Sequence, residues 1–293
     1  MPRILIVCNH HPVCLARYMR DAFRRAGAEV RTVGPDFGPE IWGMKLDARR
    51  AWRADGTIDT VWPDWMPDIV IYSIPPPFQF NPHYRGIPHV VHTVDNHVCN
   101  FRHEGIDHYF LADRKSSVMP IERPEDTWLP CAYDPLVFTP SPIPWSKREF
   151  DVALVGVMYP HRLEIVNAMT KAGFKVVAGI GAVYEEFRNI YQNARISLCP
   201  SAHGGVGQRI FETASMNCLI LADPCPDFLP LNADGLVIYE NVPDAVEKVR
   251  LYLSKSAAAE AMIARSSAWA KPHTWDARAI AILQWLEARP AAG

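Results

Sequence analysis

The sequence predicts an α/β protein made of two Rossmann-like domains with doubly wound parallel sheets, facing each other across a cleft. Short continuous apolar segments, typical of strands buried on both faces of a sheet, alternate with segments of helical periodicity. The stretch 135–145 interrupts this alternation with four prolines, which remove backbone donors and favour an extended connection. Two successive sets of alternating strands and helices therefore indicate two parallel-sheet domains.

The first domain opens with a strand, a helix and a second strand. An apolar run at 4–7 is followed by apolar residues at helical spacing up to Gly27, which ends the helix, and 29–33 is the next strand. Pro, Gly and four Trp residues make 35–67 an irregular excursion with a short helix around 44–53. Further strands are predicted at 68–73, 89–94 and 109–112, with a weaker candidate at 128–129.

The second domain repeats the alternation, and helices follow it. Its predicted strands are 152–155, 175–178, 196–199, 219–222 and 236–239, with helices at 162–172, 183–194 and 209–216 between them. Three more helices follow, at 243–254, 257–270 and 275–288. We place the first domain at 1–140 and the second at 141–272, and expect 273–293 to be a helix that packs back on the first.

Composition narrows the class of protein. Of 293 residues, 49% are hydrophobic and 21% charged, and the formal net charge of −2 is spread evenly along the chain. The lack of a basic half argues against non-specific binding to a polynucleotide backbone. No apolar run approaches the length of a membrane span, the run at 4–7 is no signal-peptide core, and the seven cysteines contain no C-x-x-C pair. We expect a cytoplasmic protein with reduced cysteines and no membrane insertion.

Two loops that follow strands of the second domain have anion-binding chemistry. Gly156 ends a strand and Arg162 lies on the first turn of the next helix, where free amides, the helix dipole and a guanidinium favour a phosphate. The glycine-rich loop 201–207 leads into another helix, on which Arg209 and Glu212 share a face. We expect Arg209 to neutralise a diphosphate and Glu212 to accept hydrogen bonds from a ribose. The alternatives are a surface arginine and an intrahelical ion pair.

These motifs resemble those of the GT-B glycosyltransferases. The similarity rests on Val155-Gly156 followed by His161-Arg162, on the segment 191–198 and on Arg-Ile-Phe-Glu at the start of 209–221. The branch that the sequence resembles most is the spore-maturation-like one, with a family 1-type C-terminal domain. Weaker similarity extends to 107–113, 129–135 and 273–278, so that the resemblance spans most of the chain from residue 68 onward.

The resemblance implies a hexosyl- or related glycosyltransferase. A nucleotide-diphosphate sugar, a UDP-sugar by expectation, would bind the C-terminal half and the acceptor the N-terminal half, and the last helix would cross back to the first domain. Many retaining members of the fold carry a second glutamate eight positions before the ribose-binding one. That position is Gly204 here, so the stereochemical outcome stays open, and His203 is a possible substitute. The expected donor-binding residues are Gly156, Arg162, His203, Gly204, Gly205, Gly207, Arg209 and Glu212.

An inverting transfer needs a base, and Asp95 and His10 are the candidates. Each follows a strand of the first domain, where a carboxylate or an imidazole could reach an acceptor hydroxyl. An Asx turn at Asp95 and an exposed loop at His10 are the structural alternatives. The chain has no Asp-x-Asp pair to hold a metal on the diphosphate, and arginines with backbone amides can stabilise the leaving group instead. We therefore expect metal-independent transfer.

The histidines and the cysteine between residues 89 and 108 do not predict a zinc site. His89 and His92 differ by an odd number of positions in a strand and so project to opposite faces, and no C-x-x-C pair anchors a site. The acceptor is unidentified and could be a small molecule, a protein or a modified nucleic-acid base. Two other functions suit the same motifs, a nucleotide-sugar epimerase or hydrolase and a non-catalytic nucleotide-sugar-binding protein.

Overall fold

A computed structural model describes residues 1–12, 14–36, 40–41, 44–45, 52–73, 83–94, 96, 99–179, 181–201 and 204–289, with the backbone alone at 40, 41, 44 and 45. The chain folds into two compact units. The first comprises Met1–Pro130 with Trp275–Gly293, and the second comprises Cys131–Thr274. The domain limits of 140 and 272 stay predictions.

The first unit contains a six-stranded parallel sheet. Its strands are β1 (Arg3–Cys8), β2 (Glu29–Val33), β5 (Ile69–Ser73), β6 (His89–Thr93), β7 (His108–Leu111) and β8 (Asp126–Trp128), in the order β2-β1-β5-β6-β7-β8. Helix α1 (Ala16–Arg25) connects β1 to β2. Two short strands, β3 (Glu40–Ile41) and β4 (Met44–Lys45), pair antiparallel. Thus 44–45 is a strand and not part of the predicted short helix, since cross-strand pairing fixes an extended backbone there; 46–51 lie outside the described residues.

The strands of this first sheet are buried on both faces. Residues 4–8 of β1 and all of β6 and β7 are buried, which explains the continuous apolar runs in the sequence. One face packs Val7, Tyr72, Val91 and Leu111 into a single hydrophobic cluster. The parallel register brings the carboxyl ends of adjacent strands to the same edge of the sheet, for example Cys8 beside Ser73.

The second unit contains a five-stranded parallel sheet in the order β10-β9-β11-β12-β13. Its strands are β9 (Phe150–Val155), β10 (Val176–Gly179), β11 (Ala194–Cys199), β12 (Leu219–Ala222) and β13 (Leu236–Ile238). The helices are α2 (Pro160–Lys171), α3 (Glu185–Gln192), α4 (Gln208–Ser215), α5 (Val242–Ser254) and α6 (Ser256–Ala270). The prediction of two parallel-sheet, Rossmann-like α/β domains is confirmed.

The order of the second sheet creates a topological switch point. After β9 the chain runs through α2 to β10 on one side, and after β11 it runs through α4 to β12 on the other. Strands β9 and β11 are neighbours, so the two connections diverge at their carboxyl ends. Ligands of open α/β sheets bind in the crevice at such a point.

The last helix, α7 (Trp275–Glu287), belongs to the first unit and packs against α1. An ion pair of 2.7 Å joins Arg25 to Asp276, and Arg278 donates to the carbonyl of Pro130 at 2.8 Å. Within the residues described, none of the helices has both the length and the apolar character needed to cross a bilayer.

Candidate functional site

The candidate site lies at the carboxyl edge of the second sheet, at the switch point between β9 and β11. Gly156 follows β9, the loop 200–207 follows β11, and Asp223 follows β12. Arg162 comes from the first turn of α2, and Arg209 and Glu212 come from α4. The two sequence motifs predicted to bind an anion thus meet at one edge of one sheet.

Arg162 is a buried arginine held by backbone carbonyls. Its side chain is 8% exposed, and its Nε and Nη2 donate to the carbonyl of Pro200 at 3.2 and 2.9 Å, while Nη1 donates to that of Val157 at 2.9 Å. The guanidinium also lies 5.1 Å from the ring centre of Tyr159. Burial, and then the positive charge of Arg209, lower the pKa of Arg162. The alternative of a surface arginine is therefore wrong.

Arg209 lies beside it, over the backbone of Gly156. Its Nη2 donates to the carbonyl of Val155, and its Nε is buried with no partner among the described atoms. A Cβ built on Gly156 would lie 2.4 Å from Nη2 of Arg209 and 3.9 Å from Nη1 of Arg162. Both guanidiniums therefore come within 4 Å of one point. Gly156 also has a φ of +142°, so this position needs glycine for its backbone and for the space that the arginine takes.

Among the described residues, no carboxylate forms an ion pair with these two arginines. Within the described part of the chain, neither guanidinium has an acidic oxygen within ion-pair distance. The nearby Asp223 accepts from the backbone amide of Ser201 at 2.8 Å, and burial raises the pKa of this carboxyl group against the opposing charges of His161 and Arg162. Two adjacent cations that are partly desolvated and lack a counterion favour an anionic ligand.

The glycine-rich loop is folded around Ser201. Its hydroxyl accepts from the amide of Gly204 at 2.7 Å and donates to the carbonyl of Gly205 at 3.0 Å. Gly204 has a φ of +82°, and Gly207 is the extended N-cap of α4. The first amides of α4 lack intrahelical partners and point out of the helix, which adds anion-binding capacity beside the arginines. Ala202 and His203 lie outside the described residues.

Glu212 is buried one turn into α4. Its side chain accepts from Nε2 of Gln208 at 2.5 Å, and the residue is 7% exposed. Burial raises its pKa to about 7, against the opposing effects of the Gln208 amide and of the Arg209 charge. Arg209 and Glu212 form no ion pair among the contacts described. The carboxylate is thus a buried acceptor without an ion-pair partner in the described part of the chain.

Gln208 is a residue that the sequence reasoning missed. It lies four positions before Glu212 and therefore on the same helical face, and that spacing was the available signal. Its Oε1 is buried and has no partner among the described atoms. His161, also in the second unit, holds the glycine-rich loop through the carbonyl of Ser201, 3.0 Å from its Nε2.

The structure buries His10, one of the two proposed bases. Its ring is 0% exposed, lies 4.3 Å from the ring of Trp52, and has its Nε2 3.7 Å from the sulfur of Cys8. Burial lowers its pKa, although Asp36 and Asp55 oppose this. The ring is therefore neutral at pH 7 and shielded by Trp52, which differs from the exposed-loop alternative. Asp95 lies outside the described residues, and both assignments stay predictions.

Two further histidines of the first unit, His89 and His92, are buried, and burial lowers the pKa of both rings. His89 contacts the hydroxyl of Tyr72 and the carbonyl of Tyr84, both at 2.9 Å. His92 is 1% exposed, its two ring nitrogens have no partner among the described atoms, and burial followed by the charge of Arg278 lowers its pKa to about 3. The described residues hold no group of three or more potential ligands that could bind a metal ion.

Comparisons with known proteins give a family match in the C-terminal half and a fold for the whole chain. Residues 142–284 match the family model described as glycosyl transferase-like. No curated protein matches the sequence significantly.

Several solved structures are similar over nearly the entire chain. Anabaena HepE, solved with UDP and glucose, is 11% identical with a TM-score of 0.66, over 99% of this chain and 100% of that one. Sucrose-phosphate synthase from Thermosynechococcus elongatus is 10% identical, with a TM-score of 0.65 and 98% of each chain covered. An alpha-glucosyltransferase, solved with UDP-glucose and abasic DNA, is 10% identical, with a TM-score of 0.63 over 97% of this chain and 99% of that one. At such identities these similarities establish the GT-B fold alone, and no match singles out the spore-maturation-like branch.

Proposed function

We propose that this protein is a glycosyltransferase that moves a sugar from a nucleotide-diphosphate donor, a UDP-sugar, to an acceptor. The observation that carries the proposal is the pair Arg162 and Arg209, two uncompensated charges that both lie within 4 Å of the position of a Cβ on Gly156. A guanidinium does not neutralise itself by losing a proton under ordinary conditions. A pair of them without a counterion is therefore best explained by a strongly anionic ligand such as a diphosphate.

The donor would be held by elements of the second unit alone. The diphosphate would contact Arg162, Arg209 and the amides of Gly205 and Gly207. Gly204, whose amide donates to Ser201, would shape the loop, Gly156 would leave room for the arginines, and His203 would serve the sugar. The ribose would bind at Glu212, whose carboxylate has no cation partner among the described residues. Two proteins of the same fold were solved with UDP or UDP-glucose, and this supports uridine as the first base to test.

Catalysis would rest on charge stabilisation at the leaving group. Negative charge grows on the departing UDP while an oxocarbenium-like centre forms on the sugar. Cations and amides that the fold already positions stabilise that charge without reorganisation. We therefore propose hexosyl or related transfer without a metal, for which full activity in excess EDTA is the check. In an inverting reaction the base would be Asp95 or His10, and the first unit would supply the acceptor side.

The acceptor is proposed only by class. The even charge of the chain favours a small molecule or a protein, and a modified nucleic-acid base fits as well. No disulfide joins any of the seven cysteines among the described residues, which agrees with the proposed cytoplasmic location.

A thermal-shift panel of nucleoside diphosphates and their sugars tests the donor, because a ligand that binds only the native state raises the apparent Tm. We expect a shift with UDP and UDP-sugars, and we expect Glu212→Ala to abolish it. Glu164→Ala, which removes an exposed carboxylate of the same unit, is the matched control and should respond like the parent. An equal shift in the Glu212 variant would exclude the ribose assignment, and no shift with any nucleotide would exclude the function.

Turnover then separates transfer from the two other functions. Release of UDP that requires an added acceptor supports the glycosyltransferase. Epimerisation or hydrolysis without an acceptor would instead show a nucleotide-sugar epimerase or hydrolase. Donor binding without turnover on any acceptor would show a binding protein.

A further inference from the structure

We propose that Gln208 completes the ribose site: its Nε2 positions Glu212, and its Oε1 accepts a hydrogen bond from one of the two ribose hydroxyls. The inference rests on the proposed function, since it needs a nucleotide at α4. It adds a second recognition residue and a substrate class, namely ribonucleotides in preference to deoxynucleotides.

Gln208 and Glu212 are joined by a direct hydrogen bond. Gln208 and Glu212 are one helical turn apart, and Nε2 of Gln208 donates to Oε1 of Glu212 at 2.5 Å. This bond uses one oxygen of the carboxylate and fixes the plane of the group. No described residue donates to the other oxygen, which can therefore accept from a ligand, and Arg209 on the same helix forms no ion pair with either oxygen among the described contacts.

The amide oxygen of Gln208 has no donor among the described residues. This atom, Oε1, is buried. A buried acceptor without a donor costs free energy and is rare in folded proteins. A donor supplied by the ligand removes that cost.

These acceptors can be matched to a ligand. Gln208 Oε1 and the free oxygen of Glu212 are two acceptors on neighbouring side chains of one helical face. The 2′- and 3′-hydroxyls of a ribose are two donors on adjacent carbons, so the pair can be satisfied by one sugar. A 2′- or 3′-deoxyribose would leave one of the two acceptors without a donor, and a site built around a hydroxyl discriminates strongly against its absence.

The experiment measures the affinity of UDP, 2′-deoxy-UDP and 3′-deoxy-UDP by calorimetry between pH 5.5 and 8.5. Gln208→Met keeps the length of the side chain and removes both polar atoms. Gln208→Lys keeps a donor for Glu212 and removes the acceptor. Gln192→Met is the matched control, because the Gln192 amide donates to the carbonyl of Thr139 at 2.9 Å and has no described contact with Glu212. The ratio of UDP to deoxy-UDP affinity is taken within one variant. The effect of the lysine's added charge on affinity is therefore common to both ligands and cancels.

In the parent we expect UDP to bind at least about tenfold more tightly than the deoxynucleotide that lacks the hydroxyl read by Gln208, as for one buried hydrogen bond. Both Gln208 variants should reduce this ratio to about two or less. The pH below which UDP binding weakens should rise in Gln208→Met and fall in Gln208→Lys, because Glu212 loses a donor in the first and gains a cation in the second. Gln208→Lys thereby separates the positioning of Glu212 from recognition of the ribose hydroxyl. It also provides the test if Gln208→Met does not fold.

Unchanged ratios in both variants would overturn the recognition role, and an unchanged pH dependence would overturn the positioning role. If UDP binds the parent while both results are unchanged, the donor site stands and this inference alone fails. If no uridine nucleotide binds the parent, the proposed function fails and the inference with it.

Discussion

The two units bury ionisable groups in opposite ways. In the first unit burial lowers the pKa of His10, His89, His92 and His108, so each ring is neutral and fits the core as a small aromatic. In the second unit the buried ionisable groups include Arg148, Arg162 and Glu212, and Arg209 lies beside the last two. An arginine stays charged when buried. Among the described residues, Arg148 lies alone and is held by backbone carbonyls, whereas Arg162 and Arg209 are two adjacent charges without a counterion, and it is this adjacency that favours a ligand site.

The largest effect is expected from removing one of the two arginine charges that lack a counterion among the described residues. Arg209→Met should weaken UDP binding by about 100-fold or more, since truncating one partner of a desolvated charge pair typically costs 2–5 kcal/mol. Its Tm without ligand should stay the same or rise, because the repulsion of Arg162 is relieved. Calorimetry and a thermal melt measure both. Arg250→Met, on the exposed face of α5, is the control, and a binding loss of equal size there would contradict the assignment.

The second prediction tests the neutral histidines of the first unit. His92 has a pKa of about 3 in the folded state and about 6.5 when unfolded. The unfolded chain therefore binds more protons between these values, and the free energy of unfolding falls as pH falls from 6.5 towards 3. His92→Leu should remove part of this acid-induced loss of stability, about 1–3 kcal/mol at pH 4. At pH 7 the substitution should change the free energy of unfolding little, because no described atom bonds to the ring nitrogens. Urea unfolding at pH 4 and 7 measures it.

The control for that experiment is His103→Leu, at an exposed histidine of the same unit. It should leave the acid dependence as in the parent. If His92→Leu loses stability between pH 7 and pH 4 as steeply as the parent does, the ring is not the group that titrates.

The third prediction contrasts the buried carboxylate with the histidines. The pKa of Glu212 is raised from 4.5 to about 7, so the folded state binds more protons in this window, and its contribution to stability is lost as pH rises from 4.5 to 7. The free energy of unfolding of Glu212→Gln, relative to that of the parent, should therefore increase by about 1–3 kcal/mol between pH 5 and pH 8. The variant should also lose UDP binding. Urea unfolding at the two pH values gives the difference. A gain that is the same at both would contradict the buried ionisation.

The smallest expected effect is that of Gly156→Ala. The new Cβ would displace the Arg209 guanidinium and strain a φ of +142°, and we expect about tenfold weaker UDP binding with a modest loss of stability. Gly173→Ala is matched to it, because Gly173 also has a positive φ, of +87°, but no atoms stand where its Cβ would lie. Equal binding losses in both variants would mean that backbone strain, and not displacement of the arginine, is the cause.

Local pattern predicted most of the fold and the positions of three residues of the candidate site. Strand and helix periodicity is a short-range property, and it located the strands of both sheets and the helices of the second unit. Arg162, Arg209 and Glu212 were predictable because each is fixed by its distance from the end of a strand or the start of a helix. The parallel sheet then brings those strand ends together.

Contacts between residues distant in sequence, and the direction of side chains, were not predictable in this way. The burial of His10 depends on Trp52, more than forty residues later, and nothing in the loop itself indicates it. The hydrogen bond between Gln208 and Glu212 depends on rotamers that a spacing of four permits but does not impose. The short strand β4 was predicted as the beginning of a helix, because a two-residue antiparallel pair leaves too little periodicity to detect.

Both arginines of the site are anchored to main-chain oxygens, Arg209 at the end of β9 and Arg162 just after β11. A carbonyl group is present whatever residue occupies its position. Side-chain replacements at Val155 or Pro200 therefore leave these hydrogen bonds in place. The guanidiniums keep their orientation while the surrounding sequence varies. Only a change that redirects the backbone itself can release them, so the anion site should tolerate sequence drift as long as the sheet keeps its shape.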